Sequence, residues 1–152
     1  MPPKPKFTRE EIVASAVELV SKEGIEHLTT RNLGEWMGSS ARPIFTVFNS
    51  MDEVVSEVRA AAMERFNNYI REIVNFTPAF KEAGTRMVRF AIREPKLFQL
   101  IFMTETNPNE IPGSFFGSLG EYEPLCIDVI QRDYALSREQ ATVLFQHMWT
   151  YT

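Results

Sequence analysis

Residues 8–55 read TREEIVASAVELVSKEGIEHLTTRNLGEWMGSSARPIFTVFNSMDEVV, and they decide the fold. Thr8-Arg9-Glu10-Glu11 is a capping box: the Thr8 hydroxyl accepts a free backbone N–H, and Glu11 reaches back. Ile12, Val13, Ala16, Leu19 and Val20 then recur at helical spacing and make one apolar face. Gly24 ends this helix, because the chain leaving a helix often needs a backbone conformation that glycine reaches most easily. Thr29 is placed to cap a second, short helix reaching about Met37, with Leu33, Trp36 and Met37 facing inward. Gly38 permits a tight turn. Ser39 or Ser40 then caps a third short helix running to about Phe48. Pro43 falls in its first turn, where N–H groups have no partner to lose. Ile44, Phe45 and Phe48 are expected to pack onto the first two helices.

Two short helices around a glycine turn, behind a capped helix, define a helix-turn-helix. In that geometry the second helix lies across the phosphate backbone, with its N-terminal amides and the Thr29 hydroxyl toward an anion. The third enters the major groove, where its outward side chains choose the sequence.

This segment resembles the N-terminal domain of the TetR (TetR/AcrR) family of transcriptional regulators. The likeness rests on the spacing from the first helix through Glu23-Gly24, on Leu28-Thr29-Thr30 and on Gly38-Ser39-Ser40. It continues through Phe45 and Phe48 and the Ser50 cap of the next helix. The resemblance implies a homodimer with DNA-binding heads and an all-helical body that binds a small ligand and dimerises through its C-terminal helices. It implies that ligand shifts the spacing of the heads and releases operator DNA. By position, Thr29, Thr30 and Arg31 would meet phosphate. Ser40, Ala41, Arg42, Phe45 and Thr46 would face the groove, with Ser39 beside them, and an arm carrying Lys4 and Lys6 would reach an adjacent minor groove. The family often has Thr-Leu-Tyr where this chain has Pro43-Ile44-Phe45, and a basic residue where it has Met51. Two customary phosphate contacts are therefore missing. Arg42 becomes the leading candidate for a base or phosphate contact, since its planar fork suits either.

Charge sharpens the point. The chain has 152 residues and a net charge of -4. Residues 1–50 hold six cations (Lys4, Lys6, Arg9, Lys22, Arg31, Arg42) and six acids (Glu10, Glu11, Glu18, Glu23, Glu26, Glu35), so the head is neutral. A DNA contact must come from where the cations stand rather than from their sum. Hydrophobic residues are 44% of the chain, enough for a substantial core. The lone Cys126 excludes an internal disulfide and suits a reducing cytoplasm, and His27 and His147 lie too far apart for zinc-ligand spacing. No metal or cofactor is expected. MPPKPKF lacks the apolar run of a signal peptide, and no stretch is apolar enough for a membrane span.

Behind the head the pattern stays helical. Ser50-Met51-Asp52-Glu53 is a second capping box opening a long helix through about Ile73, with a break at 75–78. A further helix carries Phe80, Ala83, Met87, Phe90 and Ala91 on one side. Glu94-Pro95 breaks the chain again before a short apolar helix, Lys96 to Met103. Residues 104–120 read as a long loop, notable for adjacent Phe115 and Phe116. A helix over roughly Glu121 to Tyr134 follows, with Cys126 as a buried, inert thiol on its apolar side. Ser137-Arg138-Glu139-Gln140 is a third capping box before a last helix, which stops in mid-pattern at Thr152 and suggests an incomplete C-terminus.

The expected architecture is all-α: a head over residues 1–50, joined by a long helix to a ligand-binding and dimerisation bundle over 51–152. An apolar, aromatic pocket in that bundle would draw on Phe66, Tyr69, Met87, Phe90, Phe98, Phe102, Phe116 and Trp149. The acids Glu105, Glu110, Glu121 and Glu123 lack a metal or nucleophile partner, so enzymatic chemistry is not expected. The partners expected are double-stranded operator DNA, a small-molecule effector and a second copy of the chain, with no membrane. The alternative is a helical ligand-binding or protein-interaction module whose DNA binding is weak or lost.

Overall fold

A computed structural model describes residues 5–103 and 119–151. Among the described residues every regular element is helical and none is a strand. The elements are α1 (Arg9–Glu23), α2 (Thr30–Trp36), α3 (Met51–Ile70), α4 (Ala79–Arg93), α5 (Pro95–Phe98), α6 (Tyr122–Tyr134) and α7 (Arg138–Thr150). Three 3-10 segments, Ile25–His27, Ile44–Thr46 and Arg71–Asn75, and a π-helical turn, Gln99–Met103, lie between them. The chain divides into two compact units. One is drawn from Met1–Glu64 and Arg93–Thr104, the other from Arg65–Ile92 and Glu105–Thr152. The helix α3 contributes to both.

In the first unit, α1 is opened by Thr8, whose side chain accepts from Glu11 N, while Glu11 accepts from Thr8 N at 2.8 Å. Ile12, Ala16, Leu19 and Val20 are buried, and α1 packs on α2 and α5. Thr29 caps α2 as its hydroxyl accepts from Asn32 N. Ser50 caps α3 through Glu53 N, but the box is only half made. The Glu53 carboxylate accepts instead from the Asn49 backbone and side chain and from Arg9. Arg9 ties α1 to α3: it pairs with Glu53 at 2.7 Å and Glu57 at 2.8 Å and stacks 4.3 Å over the Phe48 ring. Those partners hold its guanidinium above its ordinary pKa, Glu57 first and Glu53 next.

Three expectations about the head need correction. The third helix, expected to reach Phe48, is the short 3-10 segment Ile44–Thr46 preceded by turns. Pro43 has no N–H to give and disfavours helical backbone at Arg42. The bonds from Ile44 N to Ala41 O and from Thr46 N to Pro43 O then span three residues, not four. Trp36, expected inside, is 37% exposed, and Phe45, expected to pack, is 49% exposed. Leu33 takes the core, while Trp36, the last residue of α2, borders solvent.

In the second unit the core is aromatic. Phe66 is buried with its ring centroid 5.1 Å from Phe90 and 5.3 Å from Tyr122. Arg86, on the inner side of α4, was not foreseen there. Its side chain donates to Tyr69 O at 2.6 Å and pairs with Glu72 and Glu82, each at 3.1 Å. Its guanidinium also lies over the Tyr69 and Phe76 rings. Burial works against its charge, and the bonds to Glu82 and Glu72 more than restore it. The chain break before α4 is held from α6. Arg132 donates to Val74 O and Phe76 O, at 2.7 and 2.8 Å, and Asp133 accepts from Ala79 N. Ser137 opens α7 with a complete capping box. The loop expected over 104–120, with Phe115 and Phe116, lies outside the described residues for positions 104–118.

Candidate nucleic-acid interface

The surface in question is built on α2 and the turns that follow it. Gly34 is buried in α2, and the backbone of the next segment passes directly over it. A Cβ built on Gly34 would lie 2.9 Å from Ala41 N and from Ser40 C. Gly38 turns the chain with φ +64°, a conformation costly for other residues. Met37 N and Ser39 N bond back to α2 carbonyls at Leu33 and Gly34. Ile44 and Phe48 then anchor the segment in the core. Positions 39–42 are thus held by backbone packing rather than by helical bonds of their own.

On this frame Ser40, Arg42, Phe45 and Thr46 are exposed, and Ser39 and Ala41 are half-buried. Arg42 has no ion pair among the described residues, whereas Arg9 is spent on Glu53 and Glu57 and Arg31 on Glu35 at 2.9 Å. The Glu35 bond raises the Arg31 pKa. Lys6 donates to the Ser39 hydroxyl at 3.1 Å, which brings a second cation to the same turn. Thr29 is exposed and Thr30 half-buried, but the Thr29 hydroxyl already caps α2 and the Thr46 hydroxyl donates to Pro43 O. Lys4 lies outside the described residues. The surface is therefore a short turn bearing Lys6 and Arg42, an exposed aromatic ring and several hydroxyls.

The residues expected to line a ligand pocket fall in two groups. Phe66, Tyr69, Met87, Phe90 and Trp149 belong to the second unit. Tyr69 lies 6.3 Å from Phe90, and Tyr122 links the rest: its ring is 5.8 Å from Trp149, and its hydroxyl donates to Met87 Sδ at 3.8 Å. Phe98 and Phe102 belong to the first unit, with their rings 4.8 Å apart. Phe116 lies outside the described residues. Sequence reading missed Tyr122, which sits at the start of α6 where a cap is expected rather than a core residue. Burial raises the Tyr122 pKa and pushes the Cys126 thiol up to about 12, and Cys126 is buried, as its place on α6 suggested.

Among the described residues, at least two grooves open on the first unit. One, of about 290 Å³, is lined by Gly24, Ile25, Glu26, Lys96, Gln99, Leu100 and Met103. The other, of about 370 Å³, lies between α1 and α2 against Trp36. Among the described residues no cluster of His, Cys, Asp and Glu could hold a metal, and no helix is long and apolar enough to cross a membrane. No protein-family model matches the chain, and no curated protein matches it.

Proposed function

We propose that this chain is a ligand-responsive transcriptional regulator of the TetR type, a repressor that binds operator DNA as a homodimer. The observation that carries this reading is Arg42: an exposed guanidinium without an ion pair among the described residues, on a turn that Lys6 also reaches. Exposed phosphate and guanine edges are what such a fork recognises. The exposed Val143, Met148 and Tyr151 of the C-terminal segment support pairing of two copies there. The aromatic second unit supports an apolar or aromatic effector. Effector acts by binding the DNA-incompetent arrangement better than the competent one. No cofactor is required, and the compartment is the cytoplasm.

A second reading, an interaction module that has lost operator binding, is favoured by one observation. Arg31 is neutralised by Glu35, and the head carries no net charge. One experiment separates the two: selection of an operator from random DNA, followed by gel shifts of the wild type and Arg42→Ala over a range of salt. On the first reading, Arg42→Ala weakens specific binding by ~1–3 kcal/mol if Arg42 reads a base. A log–log salt slope near zero favours the second.

A further inference from the structure

We propose that the groove between α1 and α2 is a binding site for an alkylammonium group. It is independent of the DNA-binding reading and lies on a part of the head whose lining includes two glutamates and no lysine or arginine. Leu19 supplies an apolar floor, and the exposed Trp36 indole supplies one wall. Glu23 and Glu35 are among the lining residues. Glu35 is engaged by Arg31, but Glu23 has no ion pair among the described residues. Its backbone carbonyl meets the His27 ring nitrogen at 2.8 Å, and His27 and Asn32 complete the lining.

The chain itself demonstrates the chemistry. The Lys22 ammonium stands 5.3 Å from the centroid of the Trp36 ring. Tryptophan offers the best aromatic face for a cation, and ring and carboxylate together suit a primary ammonium on an alkyl stem. A neutral apolar ligand would leave Glu23 unused, and an anion would be repelled. The groove, about 370 Å³, has room for such a stem, and Lys22, which does not line it, meets the same Trp36 ring. Lys22 is thereby a built-in competitor: it repels or excludes the incoming cation at the ring it covers.

The test uses the full chain labelled with ¹⁵N. The Trp36 indole resonance, assigned by its loss in Trp36→Phe, is followed during titration with n-butylammonium chloride. Pentan-1-ol serves as the neutral control of similar size. A second arm uses an acetylated, amidated Gly-Lys-Gly peptide. We expect a saturable shift of the Trp36 signal with the ammonium and not with the alcohol. Glu23→Gln should weaken binding and Lys22→Gln should tighten it, each by about two- to five-fold, as expected for an exposed cation–ring contact. Tighter binding of the peptide assigns the natural source to a lysine of a partner protein, and tighter binding of butylammonium to a free amine. The proposal is overturned if no saturable shift occurs, if the alcohol matches the ammonium, or if Lys22→Gln fails to tighten binding. All three altered side chains are exposed, so loss of fold does not cloud the result.

Discussion

Gly34 shows how much of the head depends on one missing side chain. A methyl group there would press on the backbone of Ser40 and Ala41, which cannot swing aside as a side-chain tip can. Alanine would gain about 1 kcal/mol of helix propensity in α2. It would lose ~1–3 kcal/mol to overpacking, so Gly34→Ala should be neutral to destabilising by roughly 2 kcal/mol. Urea denaturation checks this; a variant clearly more stable than wild type would show that the turn yields freely. Because the same backbone carries Arg42, the substitution should also weaken operator binding on the regulator reading. The glycine that the sequence made conspicuous was Gly38, whose turn is a local need. Gly34 sits unremarked inside a helix, and its role depends on a segment six residues further on that only folding brings over it.

The elements differ in how far they could be read in advance. Capping boxes at Thr8 and Ser137 were legible because four consecutive residues decide them, and both are complete in the fold. The half-made box at Ser50 was not, since Arg9 and Asn49 compete for Glu53 from outside the motif. The third helix of the head does not form as expected because Pro43, though tolerated in a first turn, disfavours helical backbone at Arg42. Arg86 was invisible because its partners, Tyr69 and Glu72, are distant in sequence and only packing gathers them. The end of α6 carries an unforeseen cost. Ala135 adopts a left-handed conformation, φ 52° and ψ 39°, at a C-cap where glycine is usual. Ala135→Gly should therefore stabilise the protein by roughly 0.5–1 kcal/mol, since a left-handed alanine costs about 1 kcal/mol or more. A melting temperature unchanged or lowered by this variant would contradict that assignment.

At the scale of the whole molecule, acid is the expected weakness. Glu53 holds its carboxyl below the ordinary 4.5, chiefly through the Asn49 backbone N–H and then through Arg9. Asp133 lies below its ordinary 3.8, through Arg132 first and then, against the effect of burial, the Ala79 and Phe80 amides. With folded values depressed, the unfolded chain binds more protons in the window between the folded and unfolded values. The stabilisation is complete above about 4.5 and is lost as pH falls through the lower folded values. Urea midpoints should be nearly level between pH 7 and about 5 and decline below that. Glu53→Gln should be less stable than wild type at neutral pH and lose part of the acid decline; an identical decline in both would place the effect elsewhere. The Arg132–Asp133 pair has a further consequence. Two adjacent side chains of opposite charge grip the carbonyls that close one segment and the amide that opens the next. The exposed residues between need carry no tension, for each side of the crossing is moored separately to α6. A chain severed at Thr77 would still have both of its new ends tethered, like a strap fastened by two rivets and cut between them.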